Sequence, residues 1–292
     1  MRALASAPIG SLLAGALLLL SSAPVFAQAD AVLTNCGEIV RIRTHDDTTT
    51  LYALAQPRPA TAQGARVALV LLVGGGGHLN LDDRGCPGAL KGNSLVRMLP
   101  LFHSAGFITA LVDAPSDHPG ADGLAGFRIA PEHAEDLGKV IADVRARTNA
   151  SVWLVGTSRG TISAVNAAAR LSGPAAPDGL VLTSPLTSGY RRGRKEWVAN
   201  TVFDLPLETI RIPVLVVGHA EDKCIRTPPD LIGNITAQTS GVREQVVTVS
   251  GGPGWSGSSG IQACIGRAPH GFVGQEAEVV TGIARFIGGG SY

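Results

Sequence analysis

Apolar residues along this chain fall into short runs that change period in a regular order. Residues 37–56 hold two extended pieces, GEIVRIRT and TTTLYALAQ, joined by His45-Asp46-Asp47, and predict an opening β-hairpin. VALVLLV (67–73) follows, a continuous apolar run that ends in Gly74–Gly77. GFITALVDAP (106–115) is another such run, SVWLVG (151–156), GLVLTSP (179–185) and IPVLVVGHAED (212–222) predict further strands, and EQVVTVSGG (244–252) a last one. Runs of this length without strict alternation suit strands buried on both faces. Helical spacing fills the gaps. SLVRMLPLFHSA (94–105) carries it around a proline, and TSRGTISAVNAAARLSG (157–173) is rich in small residues. PEHAEDLGKVIADVRART (131–148) starts on proline, with acids early and bases late, the order that suits a helix dipole. EAEVVTGIARFIG (276–288) closes the chain as a helix.

Strands alternating with helices predict an α/β chain: a three-layer sandwich with a mainly parallel central sheet and helices on both faces. There is no internal repeat and no clear linker, so residues 30–292 read as a single domain. Residues 186–210 lack a strand and predict a small cap over the sheet, or none.

The first 29 residues stand apart. Arg2, the apolar stretch Ile9–Leu20 and the small residues of VFAQA fit a secretory signal peptide cut after Ala27 or Ala29. The apolar run is short for a membrane span, which needs about 20 residues. Cleavage would leave about 263 residues, and no second run is long enough to cross a bilayer. The expected location is therefore the periplasm or the exterior. Four cysteines, Cys36, Cys86, Cys224 and Cys264, suit disulfides in an exported chain and allow three pairings. A net charge of +1 leaves no electrostatic footprint for nucleic acid. Gly74–Gly77 fails both nucleotide patterns, because no Gly-Lys-Ser/Thr follows and position 79 is leucine. No cysteine or histidine pair has zinc spacing, so neither a metal nor a cofactor is expected.

The candidate chemistry sits in VWLVGTSRG (152–160), where Gly-x-Ser-x-Gly joins a buried strand to a helix. A sharp turn at that boundary lifts the Ser158 hydroxyl above the C-terminal edge of the sheet. A serine hydroxyl is a weak nucleophile until a base takes its proton. His270, in APHGF between the last strand and the last helix, is the candidate base. The base needs a carboxylate to hold its tautomer. Asp222, just past a core strand, is the candidate acid, with Glu221 and Asp204 as rivals. GTSRG, HAED and PHGF stand in the order nucleophile, acid, base, and over residues 37–288 the chain resembles the α/β-hydrolase superfamily. Within it, the sequence is loosely similar to the dienelactone-hydrolase and small-esterase branches. The resemblance implies the α/β-hydrolase fold and a Ser-His-Asp mechanism without a cofactor.

Two backbone N–H groups should hold the developing oxyanion. Arg159 is expected to give one, and Gly75 or Gly76 the other, although here the histidine follows the glycines, unlike in lipases. Cys224 lies two residues after Asp222 and Cys264 six before His270, so a bond between them would staple the acid loop to the long GGPGWSGSSGIQACIGRAPH loop. That favours Cys36–Cys86 with Cys224–Cys264, with unbonded cysteines as the alternative. Tannases and feruloyl esterases are similar in placing a disulfide near the triad. His78 and Trp255 are candidate substrate contacts, and each could equally be a plain loop or covering residue. Asp82 and Asp83 either line the entrance with His78 or, the preferred reading, are plain loop residues; His219 either touches the site or, preferred, is structural; YRRGRKEW (190–197) either attracts an anionic substrate or, preferred, is a solvated basic run; and Asn149 and Asn234 open glycosylation sequons. The expected function is an exported serine hydrolase acting on a small-molecule ester or acyl substrate. Peptidase, lactonase or acyltransferase activity, or a binding protein on a hydrolase scaffold, are the rivals.

Overall fold

Among the described residues, eight strands form one open sheet in the order β1-β2-β4-β3-β5-β6-β7-β8. They are β1 (Glu38–Arg43), β2 (Thr49–Ala55), β3 (Val67–Leu72), β4 (Ile108–Val112), β5 (Ser151–Thr157), β6 (Gly179–Thr183), β7 (Val214–His219) and β8 (Glu244–Val249). Only the hairpin departs from parallel: β1 pairs antiparallel with β2, and β2 antiparallel with β4. The structure is a computed structural model describing Met1 and residues 35–57, 67–190 and 195–292. The expected signal peptide and part of the basic run therefore lie outside the described residues. All the elements belong to the unit Leu33–Tyr292. Among the described residues, no helix is long and apolar enough to cross a membrane.

The continuous apolar runs become strands because helices cover both faces. Ala68, Val70 and Leu72 of β3, with Val152 and Leu154 of β5, point to one side. There they meet α2 (Pro131–Thr148) through Leu137, Val140 and Ile141, and α3 (Gly160–Arg170) through Ile162 and Val165. Leu69, Leu71 and Val155 point to the other side. They meet Leu95, Leu99 and Phe102 of α1 (Ser94–Ser104) and Ile283 and Phe286 of α5 (Glu276–Ile287). The strand period of two thus sorts one run into two cores. The α1 helix keeps Pro100 inside; Asn93 caps its first turn, its side chain accepting from Leu95 N–H at 3.0 Å. A one-turn helix, α4 (Gly233–Thr236), lies in a stretch without clear periodicity.

The topology fixes where a site can form. The chain leaves β3 for α1 and β4 on one side, then returns through α2 to β5 on the other. Strand order reverses there, and the loops after β3 and β5 part at the carboxyl edge, the usual place for a ligand crevice in an open α/β sheet. Across residues 186–210 the described part holds three 3-10 turns, Glu196–Ala199, Val202–Asp204 and Leu207–Thr209, and no strand.

Candidate active site

Ser158 occupies the turn between β5 and α3. The strand runs one residue beyond the sequence expectation, to Thr157, and Ser158 then takes φ 51°, a left-handed conformation that a non-glycine residue rarely adopts. The turn is held on both sides. Ser158 N–H donates to Thr183 O at 3.0 Å, and Ser158 O accepts from the Thr161 hydroxyl at 2.6 Å. The flanking glycines are required by space: a Cβ on Gly160 would stand 2.0 Å from Leu72 O, and one on Gly156 2.7 Å from Gly160 O.

The loops after β7 and β8 bring two more groups to this point. His270 Nε2 lies 3.1 Å from Ser158 Oγ, and His270 Nδ1 lies 3.0 Å from Asp222 Oδ2. Both side chains are buried, at 5% and 1% exposure, which strengthens their interaction relative to water. With Nδ1 protonated, the ring donates to the carboxylate and Nε2 is free to accept from serine. The Asp222 carboxylate is itself fixed. Thr227 Oγ1 donates to Asp222 Oδ2 at 2.7 Å, and Cys224 N–H donates to Oδ1 at 2.9 Å. Of the rival carboxylates, Glu221 is exposed, and Asp204 accepts from Thr201 N–H.

Residues that sequence reasoning missed anchor the histidine loop. Arg97 of α1 donates to Gly266 O and Gly271 O, each at 2.7 Å, and pairs with Glu276 at 2.8 Å. Ser184 Oγ donates to His270 O at 2.8 Å. The sulfurs of Cys224 and Cys264 are at bonding distance, as are those of Cys36 and Cys86. Asp222, Cys224 and His270 cluster closely enough to suggest a metal set, but the Cys224 sulfur is already engaged by Cys264. A cavity of about 290 Å³ opens beside Ser158 and His270, bounded by Gly74, Gly75, Leu90 and Ile265.

The glycine loop after β3 faces the serine. A Cβ on Gly74 would lie 2.8 Å from Ser158 Cβ. Gly75 borders the cavity, whereas Gly76 packs against the loop at Ala121, where an added Cβ would meet Ala121 O at 2.3 Å. The loop is held from behind by two side chains absent from the sequence expectation. Buried Arg128 donates to Val73 O at 3.1 Å and Gly75 O at 3.3 Å. Asp113 accepts from Leu79 N–H at 2.6 Å and Leu81 N–H at 3.1 Å. Arg159 is the N-cap residue just before α3, at the end where N–H groups lack intrahelical partners and carry the positive end of the dipole. Its guanidinium lies 3.9 Å from the centre of the Trp197 ring; burial, then Arg226, pushes its pKa down to about 10.

Other candidate residues are not brought to the cavity wall. His78 Nδ1 accepts from Gly120 N–H at 2.9 Å, and Trp255 Nε1 donates to Ser258 O at 2.9 Å. Asp82 accepts from Arg84 and Cys86 N–H groups, closing a local turn. His219 is buried, and its Nδ1 accepts from Glu221 N–H at 3.1 Å.

No protein-family model and no curated protein matches the chain. Solved structures do. An α/β serine hydrolase homologue from Coxiella burnetii superposes with a TM-score of 0.53 at 18% identity, over 86% of this chain and 97% of that one. Esterase 2 from Thermogutta terrifontis gives 0.58 at 15% identity, over 87% and 95%. A lidless α/β serine hydrolase from Xanthomonas campestris gives 0.52 at 18% identity, over 85% and 94%. Together with the strand order and the serine turn at the end of β5, these likenesses give the chain the α/β-hydrolase fold.

Proposed function

We propose that this chain is an exported serine hydrolase that cleaves carboxylic esters of small molecules through an acyl-enzyme. One observation carries the reading: the buried relay from Asp222 through His270 to Ser158, with steps of 3.0 and 3.1 Å, at a left-handed turn beside an open cavity. His270 Nε2 takes the Ser158 proton as Oγ attacks the ester carbonyl. Asp222 holds the ring and stabilises the imidazolium that forms. The backbone N–H groups of Arg159 and of Gly75 or Gly76 receive the oxyanion, and bordering the cavity favours Gly75. The imidazolium then protonates the leaving alcohol. Water, activated by the same histidine, attacks the acyl-serine and regenerates the hydroxyl.

The esterase and serine hydrolase structures similar in fold support this class of chemistry. Two cysteine pairs at bonding distance support an oxidising compartment, periplasmic or extracellular. The test is intact mass after a fluorophosphonate probe, on wild type and Ser158→Ala. One adduct on wild type and none on the variant is expected, followed by turnover of a short-chain ester panel. A folded wild type that takes no adduct would overturn the reading in favour of a binding protein.

A further inference from the structure

A second cluster of ionisable groups lies where the β1–β2 turn meets the loop after β4. His45 Nε2 stands 3.0 Å from Asp117 Oδ2, and His118 Nε2 stands 3.6 Å from the same oxygen. One donor atom from each of the three residues lies within 4.8 Å of the others. Metal bonds of about 2.0–2.1 Å in a tetrahedral site would set ligand atoms about 3.3–3.4 Å apart. The two separations to Asp117 bracket that value, and the His45 and His118 donor atoms, within 4.8 Å of each other, would have to close towards it for an ion to seat.

The outer groups are arranged as such a site needs. His45 Nδ1 is 2.5 Å from Asp136 Oδ2, and His45 backbone N–H donates to Asp136 Oδ1 at 2.8 Å. Asp136 is buried, at 2% exposure. A carboxylate on Nδ1–H fixes the tautomer and directs the Nε2 lone pair outward, as it does behind metal-bound histidines. Phe127 holds both rings, stacking on His118 at 4.3 Å and lying 4.7 Å from His45. His118 and Asp117 are partly exposed, leaving room for a fourth ligand from water. Two imidazoles and one carboxylate suit zinc and its neighbours more than calcium or magnesium.

We propose that His45, Asp117 and His118 form a zinc-type site that clips the β1–β2 turn to the β4 loop, with Asp136 as the orienting carboxylate. It is independent of the Ser158 chemistry. The competing state is an imidazolium of His45 held between Asp136 and Asp117 with no ion.

The test is calorimetric titration of zinc chloride into metal-stripped full-length protein, with bound metal counted by mass spectrometry and folding checked by circular dichroism. The Ser158→Ala background keeps the readout free of turnover. One zinc per chain is expected, with saturable binding abolished by His118→Ala and retained by His78→Ala. Asp136→Asn should weaken binding by about 10–100-fold. His118→Ala leaves the His45 pairs with Asp136 and Asp117 intact, so the fold should persist; His118→Gln serves if it does not. No binding to wild type, or equal binding to wild type and the His118 variant, would overturn the proposal.

Discussion

Thr227 Oγ1 donates to Asp222 Oδ2 at 2.7 Å, the same carboxylate oxygen that lies 3.0 Å from His270 Nδ1. One oxygen is thus fixed by a hydroxyl and offered to a ring. Thr227 is buried, at 1% exposure, so water cannot replace it. Valine keeps its shape and removes the donor. A hydrogen bond to a charged group is worth about 1.5–3 kcal/mol, so Thr227→Val should lower kcat about 10–100-fold. KM should change little, because Thr227 positions Asp222 and does not border the cavity. Thr227→Ser should recover most of the rate. An unchanged kcat would mean that Cys224 N–H, at 2.9 Å, suffices to hold the acid.

How much of this could be read from the chain depends on how far each feature reaches. The inner strands β3 to β7 were legible because each is an almost unbroken apolar run, and burial on both faces demands one, whereas edge strands β1 and β8 carry polar residues on exposed positions. The turn that holds Ser158 was legible because strand, glycine turn and helix are adjacent in sequence, and the place of Asp222 because it directly follows core strand β7; His270 lies far along the loop after the half-exposed edge strand β8 and was read only from its place before the last helix. Arg97 was not, since its partners Gly266 and Gly271 are 169 and 174 residues away. Nothing local distinguishes it from a surface arginine on a helix. Arg128 is hidden for the same reason: a cation bound to carbonyls needs no acidic neighbour to betray it. His45 meets Asp117 and Asp136 only across 72 and 91 residues, so no zinc spacing appears in the sequence.

Gly74 and Gly160 separate activity from folding. A Cβ on Gly160 meets the carbonyl oxygens of Leu72 and Val73, at 2.0 and 2.8 Å, and backbone cannot step aside. Gly160→Ala should cost about 3 kcal/mol or more and is expected to yield little folded protein. A Cβ on Gly74 meets chiefly Ser158, its Cβ at 2.8 Å and Oγ at 3.4 Å, and one backbone oxygen, Thr157 O, only at 3.1 Å. Gly74→Ala should fold, displace the serine and slow fluorophosphonate labelling at least tenfold. A variant that labels at the wild-type rate would show that the glycine is not needed for access to Ser158.

The two cysteine pairs should differ in what they protect. They span 50 and 40 residues, so the chain-entropy model gives each about 4 kcal/mol of stability. Position breaks the tie. Cys224 and Cys264 join the loops that carry Asp222 and His270, whereas Cys36 and Cys86 join the chain before β1 to the loop after β3. Replacing either pair with serines should lower Tm comparably. Only the Cys224–Cys264 replacement should also lower kcat/KM when assayed well below both melting temperatures. Equal losses of kcat/KM would assign both pairs a purely structural role.

His133 should govern part of the response to acid. It is buried in α2, and its Nε2 lies 2.8 Å from Ser163 Oγ, which accepts from Arg128 Nη1 at 2.7 Å. With that oxygen occupied by arginine, the serine hydroxyl is left to donate to a neutral ring. Burial, reinforced by the Arg128 charge, pushes the His133 pKa down to about 3. In the unfolded chain the same ring titrates near about 6.5. Between these values the unfolded state binds one more proton than the folded state. Stability therefore falls as pH drops from about 6.5 towards 3, with a slope of up to about 1.4 kcal/mol per pH unit from this group. His133→Gln, which cannot titrate, should lose that share of the slope while remaining less stable at neutral pH. Guanidinium unfolding midpoints from pH 7 to pH 4 would read it directly. Parallel curves for wild type and variant would mean that His133 takes up its proton inside the folded protein, and that the Arg128–Ser163–His133 chain does not hold the ring neutral.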